Sequence, residues 1–288
     1  MKVVITGSLG NVSRPLAQQL LDAGHSVVII SSNPEKHKDI ETLTATPAIG
    51  RLTDADFLTG AFAGADAVYG MIPFNFNVQD QDEYFRAIAG SYVQAIKSAD
   101  VKKAVFLSGW TAGIVASPHL EAMLNQLADI DLAELRPGFF YTNFYSMMGT
   151  IRDGGVIMSN YGGDDKVAFV SPHDIATAAF EELTTSFEGR KVRYVASEEL
   201  TCNDAAAILG EAIGKPELKW IPIAEEQVLN SLLSFGTPLQ LAEYLVKMQV
   251  AIHSGIVYEN YLHHRPVLGQ TKLKDFAKAF AGVYHQQK

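Results

Sequence analysis

The segment Thr6-Gly7-Ser8-Leu9-Gly10-Asn11-Val12-Ser13 joins a continuous apolar run at residues 3–6 to a helical stripe of Val12, Leu16, Leu20 and Leu21. A glycine-punctuated turn in that position admits few folds. It feeds a strand buried on both faces straight into an amphipathic helix whose first N–H groups have no carbonyl partner. Those N–H groups and the positive end of the helix dipole suit a pyrophosphate. Gly7 supplies the sharp turn, and Gly10 removes the Cβ that would hold a phosphate off the backbone. Ser13 stands where a third glycine often sits, and it is small enough for close helix–strand packing. The alternative is a purely structural turn. A second apolar run at 27–30, at the spacing expected of a dinucleotide-binding unit, favours the ligand-binding reading.

The same alternation continues. Apolar runs at Ala67–Met71 and 104–107 read as strands, with a long helical pattern from about residue 80 to 99 between them, and 133–135 looks like the sixth strand. Gly24 reads as the residue that closes the first helix, and Asn33-Pro34 as an N-cap and first helical position. Ser117-Pro118 and Ser171-Pro172 give the same signal, with Asp174 near a capping-box position. Alternation of this kind implies an α/β fold: a Rossmann-type, doubly wound parallel sheet with helices on both faces. Beyond residue 148 the pattern loosens. A strand at 192–196, a helix at 205–213 and a largely helical stretch from 224 to 264 remain. The expected division is a nucleotide-binding domain over 1–150. Residues 151–288 then complete the sheet and form a smaller, mainly helical substrate lobe.

Composition narrows the partners. With 48% hydrophobic and 19% charged residues over 288 positions, the chain has the balance of a globular enzyme. Its net charge of −9 carries no basic footprint, so nucleic acid is not an expected partner. The single cysteine, Cys202, excludes an internal disulfide framework and suits a reducing compartment. No apolar run approaches the roughly 20 residues of a membrane span. The first residues read as a strand rather than a signal segment, so a cytoplasmic location is expected. His263-His264 has no third donor at ligand spacing, so no metal is expected. Nothing in the pattern specifies an oligomeric state.

The end of the second strand bears on the cofactor. An NAD-binding unit places Asp or Glu there to hold the ribose 2′-hydroxyl. This chain has Ser31, Ser32 and Asn33, followed by Lys36 in the first turn of the next helix, where a cation opposes the dipole. A 2′-phosphate between Lys36 and the helix N-terminus, with Arg14 nearby, would explain that placement. NADP(H) is therefore favoured over NAD(H). The alternative is that Lys36 and Lys38 are ordinary solvated charges.

With these residues in view, the chain resembles the NmrA-like group of atypical short-chain dehydrogenases/reductases, of the NAD(P)H:quinone oxidoreductase and triphenylmethane reductase type. The matching pieces are Thr6-Gly7-Ser8-Leu9-Gly10, Asn33-Pro34-Glu35-Lys36, Ala61-Phe62-Ala63-Gly64-Ala65-Asp66, Phe106-Leu107-Ser108, His119-Leu120-Glu121, Leu135-Arg136-Pro137-Gly138-Phe139-Phe140 with Asn143 behind it, and the segment 171–176. Two positions depart from the group's pattern: Ser32, where an arginine is frequent, and Arg51, where an aspartate is frequent. The resemblance implies cofactor contacts along the strand ends. These fall at Gly7, Ser8, Leu9, Gly10, Asn11 and Val12, and at Ser31, Ser32 and Asn33. They continue at Met71, Ile72 and Pro73, at Leu107, Ser108 and Gly109, and at Pro137, Gly138 and Phe139.

Ordinary short-chain dehydrogenases protonate an alkoxide with a Tyr-x-x-x-Lys pair. The expectation here is that the pair is missing, since Tyr244 has Lys247 at three residues rather than four. That weighs against carbonyl chemistry. Quinone reduction is less demanding, because a hydroquinone anion takes its proton from water. It needs chiefly proximity over a nicotinamide. Phe74, Phe76, Trp110, Phe139, Phe140, Phe144 and Tyr145 all follow expected strand ends, where they either wall a slot for a flat aromatic substrate such as a quinone or pack in the core. His119, Tyr141 and Asn143 are candidates to donate to a substrate oxygen; the alternative for His119 is a first-turn surface residue. The competing function is a regulator that binds NAD(P) without turnover, as the resemblance also allows.

Overall fold

The computed structural model describes residues 1–115 and 118–286, apart from the side chains of Pro118, His119 and Glu121. In chain order the first elements are β1 (Lys2–Ile5), α1 (Ser13–Asp22), β2 (Ser26–Ser31), α2 (Lys36–Thr42), β3 (Thr46–Ile49), α3 (Ala55–Phe62), β4 (Ala67–Met71), α4 (Gln81–Ser98), β5 (Lys103–Leu107), α5 (Pro118–Gln126) and β6 (Asp131–Pro137). There follow β7 (Phe139–Phe140), a 3₁₀ helix (Tyr141–Met147), α6 (Met148–Gly154), β8 (Val156–Ser159), β9 (Lys166–Val170), α7 (Pro172–Thr184) and β10 (Arg190–Val195). The last are β11 (Glu198–Thr201), α8 (Cys202–Ile213), β12 (Lys219–Pro222), α9 (Glu225–Ser234), α10 (Leu239–His253), α11 (Ile256–Leu262) and α12 (Leu273–Gln286).

The chain forms two compact units. The first comprises Met1–Ser108, Ser117–Arg136 and Ile175–Arg193. It is built on a seven-stranded parallel sheet in the order β10-β6-β5-β4-β1-β2-β3. From β1 the chain winds outward through β2 and β3, then returns to place β4 on the other side of β1. The winding therefore reverses between β1 and β4, and in such a sheet ligands lie beyond the carboxyl ends at that point. One face of the sheet buries Val4, Ile30, Val68, Ala104 and Phe106 against Leu58, Phe62, Ile88, Tyr92 and Leu124 from the helices. Glu134, fully buried on β6, is paired with Arg136 at 2.8 Å and Arg190 at 3.5 Å, which compensates its loss of hydration.

Local signals account for most of these boundaries. Gly24, at φ +80°, ends α1 as expected, with its N–H on the Leu21 carbonyl and that of His25 on Leu20. Asp54 and Asp80 cap α3 and α4. Asn33 departs from expectation. Its Oδ1 accepts from Glu35 N at 2.9 Å and its carbonyl from Lys36 N, so a tight turn precedes α2, which begins at Lys36.

The second unit comprises Gly109–Ala116, Pro137–Asp174 and Tyr194–Lys288. Its later part is mainly helical, as expected, but two small sheets, β11-β9-β7 and β12-β8, also belong to it. Its core is aromatic: Phe144 packs on Phe169 at 5.8 Å and on Trp220 at 5.8 Å. A Thr201/Asp204 capping box starts α8, with Cys202 buried in its first turn. Asp174 does not close a capping box on Ser171. Its carboxylate accepts from Ser197 Oγ at 2.5 Å and from Thr271 N and Oγ1 at 3.2 and 3.1 Å, partners from distant segments that outcompete the local one. The Ser117 cap lies outside the described residues. Among those residues, no helix is long and apolar enough to cross a membrane.

Candidate cofactor site

The glycine loop leaves β1 at the point where the winding reverses. Gly7 has φ +88°, and a Cβ there would lie 2.6 Å from Ser13 Oγ. Ser13 turns toward the strand and donates to the Thr6 carbonyl at 2.8 Å, so small residues are required at both positions. Ser8 also adopts a left-handed conformation, φ +55°, uncommon for a residue with a Cβ. It is held there by Ser8 N on the Ile30 carbonyl and by its hydroxyl on Ser31 Oγ at 2.9 Å. Gly10 donates to the Gly7 carbonyl at 3.1 Å, which closes the turn. No side chain caps α1, and its first turn holds no acid. Gly10 and Asn11 are exposed, while the side chain of Val12 is buried. The loop therefore offers backbone N–H groups at an uncapped helix N-terminus, with no Cβ at Gly10 to obstruct them. That cradle fits a pyrophosphate.

Ser31, at the end of β2, is buried, and its hydroxyl is already engaged by Ser8 Oγ and by Asn33 N at 3.2 Å. Through Ser8 it ties the glycine loop to β2, a link no local pattern announces. Ser32 and Asn33 are exposed. Lys36 pairs with Asp39 at 2.9 Å within its own helix, which accounts for a first-turn lysine without a phosphate. Arg14 is exposed in the first turn of α1. At the next strand ends of this unit, Met71, Ile72 and Pro73 follow β4. Leu107 closes β5, with Ser108 N on the Leu135 carbonyl at 2.8 Å.

The remaining expected contacts lie in the second unit. Gly109 precedes Trp110, whose N–H bonds to the Pro137 carbonyl at 3.0 Å. Gly138 is buried, and a Cβ there would stand 2.0 Å from the Ala168 carbonyl oxygen. This glycine is required by the crossing backbone of β9 whatever else it does. Phe139 packs against Phe144, Phe169 and Trp220, with ring centroids 5.4 to 6.0 Å apart. Trp110 and Phe144 are likewise core residues. The expected run of slot aromatics therefore divides. Phe139, Phe144 and Tyr145, after β6, pack in an aromatic core, whereas Phe74 and Phe76, after β4, are 43% and 55% exposed. Gln81 pins their loop, its Nε2 donating to the carbonyls of Asn75 and Val78. Phe85 lies beside Phe74 at 5.8 Å.

The proposed donors fare differently. Tyr141 is fully buried, with its hydroxyl 3.0 Å from Glu198 Oε2 and 3.2 Å from the Thr271 carbonyl. Burial, and then the Glu198 charge, push its phenol above the ordinary range. That hydroxyl is already committed within the second unit. Asn143 is exposed on the 3₁₀ helix. His119 falls in the first turn of α5, with its side chain outside the described residues. One Tyr-x-x-x-Lys spacing does occur, contrary to expectation: Tyr284 precedes Lys288 by four. Tyr284 is buried on α12, its ring 5.4 Å from the Arg152 guanidinium, and Lys288 lies outside the described residues. It does not follow β5 as the dehydrogenase pair does, and α5, which does, carries no tyrosine.

Residues 7–135 match the NAD(P)H-binding family model. Among curated proteins, the NAD(P)H azoreductase of Xenophilus azovorans is 25% identical over 252 residues, covering 84% of each chain. Among solved structures, the triphenylmethane reductase of Citrobacter sp. aligns with a TM-score of 0.78 at 22% identity, over 98% of this chain and all of that one. An NADPH-dependent quinone oxidoreductase of Escherichia coli, solved with NADPH, aligns with a TM-score of 0.77 at 22% identity, over 96% and 99% of the two chains. These matches bear out the resemblance read from the motifs.

Proposed function

We propose, starting from an NAD(P)H-binding domain of the atypical short-chain dehydrogenase/reductase kind, that this protein reduces a flat electrophilic acceptor such as a quinone at the expense of NADPH. The observation that carries this reading is one end of one sheet: the uncapped glycine loop after β1 and the exposed Phe74 and Phe76 after β4 follow neighbouring parallel strands at their carboxyl ends. The reduced nicotinamide, when bound, supplies hydride. Gly7 and Gly10 let the backbone hold the pyrophosphate, and the exposed phenylalanines offer ring faces to a planar acceptor. A quinone asks little more of the chain, since its reduced product takes a proton from water. The named acceptors of the similar proteins, an azo compound, a triphenylmethane dye and a quinone, share a conjugated, electron-poor centre.

The preference for NADP(H) rests on the missing carboxylate at positions 31–33, where an acid would repel a 2′-phosphate. The Lys36–Asp39 pair makes Lys36 a weaker support than its position suggests. NADPH oxidation against a panel of benzoquinones and naphthoquinones tests the enzyme reading, with Gly10→Trp as the control that blocks the cradle. Tight NADPH binding without turnover on any acceptor would instead identify a cofactor-sensing regulator.

A further inference from the structure

Tyr92 projects from the middle of α4 into the sheet and is fully buried. Its hydroxyl lies 3.0 Å from Thr6 Oγ1 and 3.0 Å from the Met71 carbonyl oxygen. These are the exits of the two strands that flank the reversal point: Thr6 precedes Gly7, and Met71 precedes Ile72. Thr6 Oγ1 in turn receives the Met71 N–H at 3.2 Å and reaches the Tyr69 carbonyl at 3.3 Å. The Thr6 carbonyl takes the Ser13 hydroxyl that fixes the start of α1. The Tyr92 ring is itself fixed, edge-on to Phe106 at 5.2 Å and stacked on Phe62 at 6.4 Å. One phenol thus joins the exit of β1, the end of β4 and, through Thr6, the helix that would hold the phosphates.

We propose that Tyr92 is a positioning residue for the cofactor, setting the spacing between the glycine loop and the Met71-Ile72-Pro73 segment through Thr6. The proposal rests on the NAD(P)H reading of that loop. A buried hydrogen bond of this kind is strong because no water competes for it, and its loss leaves Thr6 and Met71 short of a partner. The fold also supplies a control. Tyr69 on β4 is equally buried, yet its hydroxyl has no hydrogen-bond partner among the described residues.

The experiment compares Tyr92→Phe, Thr6→Val, the double variant and Tyr69→Phe in the full chain. It reads melting temperature, NADPH Kd by fluorescence titration, and the acceptor KM with a soluble naphthoquinone. Tyr92→Phe keeps the ring and its packing, and is expected to raise the NADPH Kd about fivefold with the acceptor KM unchanged. Thr6→Val should do the same, and the double variant should add little, since both act through one contact. Tyr69→Phe should leave the Kd unchanged. A Tyr92→Phe protein with a lowered melting temperature and a wild-type Kd would reduce Tyr92 to a packing residue and overturn the inference. Fully additive losses in the double variant would overturn it too. Failure of the wild-type chain to bind NADPH is a distinct result, which would overturn the cofactor reading beneath it.

Discussion

The cofactor contacts proposed at Ser32 and Lys36 are independent of each other, and single substitutions distinguish them. Ser32 is exposed just past β2 and has no acid beside it in the 31–33 segment. Ser32→Asp should supply the missing carboxylate, lowering the Kd for NADH and raising that for NADPH. A shift of about tenfold in their ratio is expected from one charge-assisted hydrogen bond gained and one repulsion introduced. Lys36→Ala removes a half-exposed lysine that already has Asp39. Its effect on NADPH should stay within about threefold, and its effect on stability should be small, as exposed i,i+3 pairs contribute little. A larger loss of NADPH affinity would mean that Lys36 leaves Asp39 for the phosphate. Titration of both nucleotides against both variants settles each point. At this scale the glycines were legible in the sequence because their constraint is local: a turn, then a helix. The resemblance assigns Ser31 a cofactor contact. Its clamp on Ser8 depends on two strands meeting, which spacing along the chain does not reveal.

The elements show the same division between local and distant causes. Most strands of the main sheet and the long α4 follow from apolar runs and a capping aspartate, whereas β3, Thr46-Pro47-Ala48-Ile49, carries no such run and β10 interleaves Arg190, Lys191 and Arg193. The strands β7, β8, β9, β11 and β12, of two to five residues, do not stand out from loop sequence, which leaves the aromatics after β6 either as slot walls or as core. Packing decides their fate. Phe139 and Phe144 meet Phe169 and Trp220, which arrive from elements far along the chain. Gly138 offers a direct check. Gly138→Ala would set a methyl 2.0 Å from the Ala168 carbonyl oxygen, and displacing β9 is expected to cost about 1–3 kcal/mol, read as a lower melting temperature. A cofactor role alone would leave the unliganded protein's melting point unchanged. Thr201→Ala removes the capping box of α8 and should cost about 1 kcal/mol by denaturant titration, without touching NADPH affinity.

For the molecule as a whole, the buried phenols set an alkaline limit. Tyr69, Tyr92, Tyr141, Tyr161 and Tyr261 all have their ionisation pushed above the ordinary tyrosine range, in each case chiefly by burial. The fold holds them protonated, whereas an unfolded chain ionises them near pH 10. Their contribution is therefore complete below about pH 10. It is lost as pH rises past that value toward the folded-state ionisation, because the unfolded state then sheds protons that the folded state retains. Melting temperatures should stay level from about pH 7.5 to 9 and fall above about 10. A flat profile through that range would mean that these phenols ionise in place. Fold class was readable at this scale, since alternating apolar runs and helical stripes permit few arrangements. The misplaced expectation about Tyr-x-x-x-Lys shows the opposite limit. The spacing exists at Tyr284, and only its place on α12 separates it from the dehydrogenase pair.

The order in which the two units claim the chain has a genetic consequence. The polypeptide passes from one to the other after residues 108, 116, 136, 174 and 193. No single breakpoint in the coding sequence separates them, so one crossover cannot exchange the whole of one unit without also carrying part of the other. The nucleotide-binding body cannot be borrowed as a cassette while its companion is left behind.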